Sequence, residues 1–237
     1  MGHQHKFKIP YVVALASWKG GVGKSTLTVG LAHELSRRGI ATAVIDLDIN
    51  GHAALSLTKG NTDGVPIQVS HMSDVASKNP AGVTQQIGAL SRSHDVILID
   101  TPGAIEAKGA QVALLVSNAV VMPFKPGPYE LESTIKTMDL IDSIRVAQNP
   151  NLKSLLLLNQ PARTVLSRDV NDALLAELET RDGAHKLLET VIRSSVSFGE
   201  MAATGIPLWK LGSSAKKPAS EVSLLADEIL AHLAHQG

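Results

Sequence analysis

The chain has 237 residues, 44% of them apolar and only 3% aromatic, with 22 basic residues against 22 acidic ones and no cysteine. This length and apolar content suit one large globular domain filled by Leu, Val, Ile and Ala, and they exclude a disordered chain. Zero net charge leaves any attraction to nucleic acid or anionic lipid to a local patch, while the lack of cysteine excludes disulfides, thiolate-held iron–sulfur clusters and Cys-based zinc sites.

Residues 1–10 are expected to form a flexible N-terminal segment. The apolar run 11–16 ends in a glycine-rich turn, which reads as a buried strand rather than a signal peptide. A helix is predicted over 25–38, closed by Gly39 after Arg37 and Arg38, whose charges suit a helix C-terminus. Further Val/Ile/Leu-rich strands are predicted over 41–46, 95–100, 119–124, 153–158 and 189–193. Helical spacing covers 107–118, 130–147, 169–181 and 219–235. Segment 60–79 is polar and weakly patterned, so loop and short helix are expected there. Few strands alternate apolar with polar, the pattern of strands covered on both faces. The expectation is a single α/β domain over 1–237, doubly wound, with a mostly parallel sheet flanked by helices. No run approaches the ~18 consecutive apolar residues of a membrane-spanning helix.

The most specific string is Lys19-Gly20-Gly21-Val22-Gly23-Lys24-Ser25-Thr26, between the first predicted strand and the first predicted helix. Concentrated phosphate charge needs many N–H donors at close range, which glycines allow and a helix N-terminus supplies. Lys24 would bridge the β- and γ-phosphates and the Ser25 hydroxyl would coordinate Mg²⁺. Asp46 and Asp48 follow one strand and Asp100 another, at the sheet edge where parallel sheets bind ligands.

The loop resembles the deviant Walker A of the ParA/MinD family of dimeric ATPases, because Lys19 stands where an ordinary Walker motif begins with glycine. Ala43-Val44-Ile45-Asp46-Leu47-Asp48 resembles the family's second acidic motif, and Asp95-Val96-Ile97-Leu98-Ile99-Asp100-Thr101-Pro102 its Walker B strand. The likeness runs from Tyr11 to about Glu132 and continues more weakly to the C-terminus. It implies a P-loop fold, Mg²⁺-dependent ATP hydrolysis and an ATP-dependent sandwich homodimer. Lys19 would then reach the partner's nucleotide, Asp48 would orient the attacking water, Asp46 would support the Mg²⁺ shell or the strand end, and Asp100 would hold Mg²⁺ through a water. Asn159, and Pro207 within 205–208, would lie near the adenine. At the last acid of this second motif the family usually reads Asp-Pro-Gln. Here Ile49 and Asn50 follow Asp48, which weakens any switch role carried over to this loop.

Absences sort the family's branches. Iron–sulfur relatives need thiolates, and tyrosine kinases of this fold need a tyrosine cluster, whereas this chain has only Tyr11 and Tyr129. Segment 220–237 holds Asp227 and Glu228 but no Lys or Arg, unlike a basic membrane-targeting tail. A ParA-type partition ATPase remains, implying cytoplasmic, nucleoid-associated action, non-specific DNA binding and a ParB-like centromere-binding adaptor. Segment 193–217 carries Arg193, Lys210, Lys216 and Lys217 against Glu200 alone, and the resemblance makes Arg193, Lys216 and Lys217 the DNA contacts. An ordinary solvated basic face is the competing account. With about ten residues before the first strand, no N-terminal helix-turn-helix and no operator-specific repression are expected. The alternative is a related positioning ATPase for a flagellar, conjugative or microcompartment cargo. His3 and His5, and the pair His232 and His235, lack acidic or thiol companions and read as solvated rather than metal-binding.

Overall fold

Seven strands run parallel in one sheet, the inner ones as their unbroken apolar runs suggest. They are β1 (Tyr11–Leu15), β2 (Thr42–Asp46), β3 (Gln68–His71), β4 (Val96–Asp100), β5 (Ala119–Phe124), β6 (Lys153–Asn159) and β7 (His185–Ile192), in the order β3-β2-β4-β1-β5-β6-β7. The computed structural model describes residues 7, 9–60, 64–162, 164–181 and 183–234. Most of the N-terminal segment 1–10, including His3 and His5, lies outside the described residues, as does His235.

Alternate residues of each inner strand enter opposite cores, since strand side chains alternate in direction. In β1, Val13 and Leu15 join one core with helices α1 (Lys24–Arg37), α8 (Val196–Thr204) and α9 (Lys216–Ala234). Val12 and Ala14 join the other, with α4 (Pro80–Leu90), α5 (Lys108–Val116), α6 (Pro128–Ala147) and α7 (Val165–Glu179). Covering both faces gives the doubly wound arrangement, and each fully buried Leu, Ile or Val contributes roughly 1.5–3 kcal/mol. Gly39 ends α1 at φ 73°, and its N–H donates to the Ser36 carbonyl at 3.0 Å, as the glycine signal predicts. Helix α9 is tied across α1 by Arg38, which pairs with both Glu34 and Asp227.

Two elements depart from expectation. Segment 60–79 does contain a short helix, α3 (Ser73–Lys78), but also β3, which pairs with β2 alone. An edge strand with partly exposed residues needs little apolar content, and Val69 is the one aliphatic residue of Gln68–His71, so no periodicity betrays it. Strand β7 starts at His185, four residues before the predicted 189, because it too is an edge and carries exposed Lys186. The helices α2 (His52–Lys59), α4 and α8 also lie outside the predicted elements.

β1 lies between β4 and β5, so the chain winds outward from it in both directions. Ligand clefts form at the C-terminal strand ends beside such a reversal. The phosphate loop leaves β1 there.

Candidate nucleotide site

Residues 16–23 pass from β1 into α1 as a tight loop whose shape depends on two glycines, Gly21 at φ 76° and Gly23 at φ 96°. Only glycine adopts these angles without strain. Gly23 also has no room for a side chain, because a Cβ there would lie 2.6 Å from Asn159 Nδ2. Asn159, 1% exposed at the end of β6, donates from Nδ2 to the Val22 carbonyl at 2.6 Å. It braces the loop from beneath, and its Oδ1 is buried without a partner. The cleft wall at this point is instead Gln160, held at φ 52° with its N–H on the Ile192 carbonyl at 2.6 Å.

An open cleft of about 760 Å³ lies over the loop and is lined by Gly20, Gly21, Gly23, Lys24, Ser25 and Thr26, together with Asp48, Asn50, Gly103 and Gln160. Val22 lies buried in the loop just below it. Pro207 is buried before the turn Leu208–Lys210 and is not among the lining residues, nor is Asn159. The cleft lining therefore gathers the predicted phosphate-binding string apart from Lys19 and Val22, with Asn159 packed beneath the loop and Pro207 outside the lining.

The two loop lysines have opposite surroundings. Lys24 is 6% exposed, and its Nζ donates to Ser17 Oγ at 3.1 Å and to the Lys19 carbonyl at 3.4 Å. Burial lowers its pKa, while the charges of Asp100 and Asp48 pull it back up. Lys19 is exposed and turns away from this nest, with Nζ 3.4 Å from the Tyr129 carbonyl and 5.7 Å from the centre of its ring.

Three carboxylates close the site. Asp46 and Asp100 are register partners at the ends of β2 and β4, both 0% exposed. Asp100 is pushed up to about 7, first by burial and then by the Asp46 charge, against the opposing pull of the neighbouring Ser25 hydroxyl and Lys24 ammonium. Thr28 Oγ1 donates to its Oδ1 at 3.4 Å, while Oδ2 is buried without a hydrogen-bond partner. A buried carboxylate oxygen without a donor, beside a serine hydroxyl at the loop, fits a hydrated divalent cation. Asp46 accepts from the N–H groups of Asp48 at 3.0 Å and Ala54 at 2.9 Å, so it fastens the strand end to α2. Its pKa is also raised, chiefly by burial. Asp48 lines the cleft. Its Oδ1 accepts from Asn50 N at 2.9 Å and Asn50 Nδ2 at 2.8 Å, and its carbonyl meets His71 Nε2 at 2.8 Å. His71, Gln160 and Tyr129 had no sequence signal, because each reaches the site through an edge strand, a strand end or a helix start rather than a motif.

The basic positions gather elsewhere. Arg193 and Lys217 line a second cleft of about 690 Å³ between the end of β7 and the start of α9, and Lys216 is exposed beside it. Arg193 is committed to Glu221, with Nη1 on Oε1 at 2.7 Å and the backbone N–H on Oε2 at 2.9 Å. No group of three or more His, Cys, Asp or Glu side chains arranged to hold a metal occurs among the described residues. No helix in those residues is long and apolar enough to cross a membrane.

Known proteins share this fold. The CobQ/CobB/MinD/ParA nucleotide-binding domain family matches residues 13–208. The chain is 25% identical to the maintenance of carboxysome distribution protein A of Halothiobacillus neapolitanus, over 93% of this chain and 96% of that one. It is 27% identical to the chromosome-partitioning ATPase Soj of Thermus thermophilus, over 81% and 85%. In fold it is similar to cobyrinic acid a,c-diamide synthase of Mycobacterium smegmatis, solved with an ATP analogue and magnesium, at a TM-score of 0.70 and 20% identity, over 94% and 95%. With its family's domain matched across most of its length, the chain belongs to the CobQ/CobB/MinD/ParA nucleotide-binding family and is a ParA/MinD-type ATPase.

Proposed function

We propose that the chain is a Mg²⁺–ATP-dependent positioning ATPase that forms an ATP sandwich homodimer, binds DNA without sequence preference and drives plasmid or chromosome partition under a ParB-like adaptor. The observation that carries this reading is the divergence of the two lysines. Lys24 is buried under the loop, where it would meet the phosphates of its own nucleotide, and Lys19 lies exposed on the surface against Tyr129, away from that nest. A cation so placed suits phosphates bound by a second subunit, and a charge supplied in trans can raise phosphoryl-transfer rates roughly 10³–10⁵-fold.

Ser25 and Asp100 would hold Mg²⁺, which when bound supplies positive charge to the phosphate oxygens. The chain's own contributions are positional. Loop N–H groups and Lys24 neutralise the phosphates, Asp48 presents its carboxylate to the cleft where water would attack, and Lys19 completes the charge across the dimer. Lys216, Lys217 and Arg193 supply the DNA face, with Arg193 available once it leaves Glu221.

A second cargo reading is favoured by the relative named for carboxysome distribution, which matches nearly the whole chain. The same cycle would then move a protein-bound cargo rather than a replicon.

The test compares wild type with Lys19→Ala, saturated with a non-hydrolysable ATP analogue and Mg²⁺. Wild type should dimerise by light scattering and be retained on random-sequence duplex DNA in a salt-sensitive way. Lys19→Ala should bind nucleotide but remain monomeric. Normal ATP turnover by this variant, or a monomeric wild type, overturns the proposal.

A further inference from the structure

Strand β3 delivers one side chain to the catalytic loop. His71 is the last residue of β3, in register with Asp46 on β2, and the following N–H, that of Met72, donates to the Asp46 carbonyl at 2.8 Å. This pairing sets the His71 ring beside the turn 48–51. Its Nε2 lies 2.8 Å from the Asp48 carbonyl, and since a carbonyl only accepts, the contact requires a proton on Nε2. The same carbonyl accepts from the Gly51 N–H at 3.0 Å. Gly51 sits at φ 59° as the residue before α2, and a Cβ added there would lie 3.1–3.3 Å from three atoms of the imidazole. The ring is thus stacked on the glycine that closes the turn while it bonds to the residue that opens it.

Among the described residues, the turn's other side-chain contacts are few. Ile49 is 78% exposed, and the inner contacts are those of the Asp48 carboxylate with Asn50 and of the Asp48 N–H with Asp46. Removing the imidazole would leave the Asp48 carbonyl to the Gly51 N–H, with Gly51 itself tied to α2 by its own carbonyl, which accepts from the Leu55 N–H at 2.8 Å.

We propose that His71 is a positioning residue for ATP hydrolysis, holding the 48–51 turn so that the Asp48 carboxylate faces the nucleotide cleft. The inference rests on the reading of Asp48 as the residue that orients the attacking water. His71 does not line the phosphate cleft, so its loss should slow the chemical step and spare nucleotide binding. A glutamine at this position can place an N–H donor near the imidazole Nε2, whereas leucine fills similar space without a donor.

The experiment measures ATP hydrolysis against ATP concentration, with radiolabelled ATP so that slow turnover is recorded, for wild type, His71→Leu, His71→Gln and Asp48→Ala. Binding of a fluorescent ATP analogue is measured alongside. His71→Leu should lower kcat about five- to tenfold, the size expected for one lost hydrogen bond, with KM and analogue affinity within about twofold of wild type. His71→Gln should recover most of the loss. Unchanged kcat in His71→Leu, an equal loss in His71→Gln, or a parallel loss of analogue binding would each overturn the proposal. Wild-type turnover by Asp48→Ala would remove the reading beneath it, an outcome separate from failure of His71 with Asp48 intact.

Discussion

Replacing Asp100 by Asn should stabilise the nucleotide-free protein and impair its use of Mg²⁺, because the site keeps a carboxylate where no charge is comfortable. In the native state burial and the Asp46 charge push Asp100 up to about 7, from 3.8 for the ordinary group. The folded pKa is the higher one, so as pH rises above about 4 the unfolded chain loses its proton first and the native state becomes relatively less stable. The loss grows until pH passes 7 and then levels off. A difference of about three units corresponds to about 4 kcal/mol above pH 7, and to under about 1 kcal/mol near pH 4. The amide of Asp100→Asn keeps the shape and an acceptor without the charge. In urea unfolding without nucleotide, the variant should therefore exceed wild type by a margin that widens from pH 4 to pH 8. In a chain of this length the margin at pH 8 corresponds to roughly 10 °C in Tm. Mg²⁺ with an ATP analogue should stabilise wild type far more than the variant, since cation binding requires the ionised carboxylate. A margin independent of pH would show that Asp100 carries no strained charge, and equal Mg²⁺-dependent stabilisation would separate it from the cation.

Gly23→Ala should weaken nucleotide binding at least about tenfold and lower stability by about 2 kcal/mol, since φ 96° disfavours a side chain and the added methyl meets Asn159; undiminished affinity in a fluorescent-nucleotide titration would refute this account of the loop. His33 is buried edge-on to Trp209, with ring centres 6.2 Å apart, and burial lowers its pKa to about 4 from 6.5 despite the Gly205 carbonyl. Its folded value is the lower one, so the stability it allows is complete above pH 6.5 and falls by up to about 3 kcal/mol as pH drops toward 4. His33→Leu should erase that acid loss in urea midpoints at pH 7.5 and 4.5.

The sheet was largely legible because its inner strands are written in one alphabet. Val96-Ile97-Leu98-Ile99 and Val120-Val121-Met122 have no polar residue to expose, which places them between two layers before any topology is known. The same logic hides the edges. Gln68-Val69-Ser70-His71 needs to bury almost nothing on its outer side, and its strand character comes from the backbone groups of β2 rather than from its own side chains. Helix α2 follows from a polar carboxylate, Asp46, which fastens the Ala54 N–H, and local composition does not announce that long-range contact.

The site divides along the same line. Residues whose chemistry depends on a fixed spacing, such as Lys19, Lys24 and Ser25 in one turn, can be read directly, because the loop that carries them is its own scaffold. Residues that act across the sheet cannot. Asn159 illustrates the limit: the resemblance implies a place near the base, and the fold sets its amide on the Val22 carbonyl while Gln160, the next residue, lines the cleft in a left-handed conformation. A strand-end residue faces the core or the cleft according to where the strand stops, and a shift of one position exchanges the two. His71 reaches Asp48 by the same geometry. It matters to the turn only because β3 ends level with β2, a fact of register that resides in the pairing of two strands and in neither sequence alone.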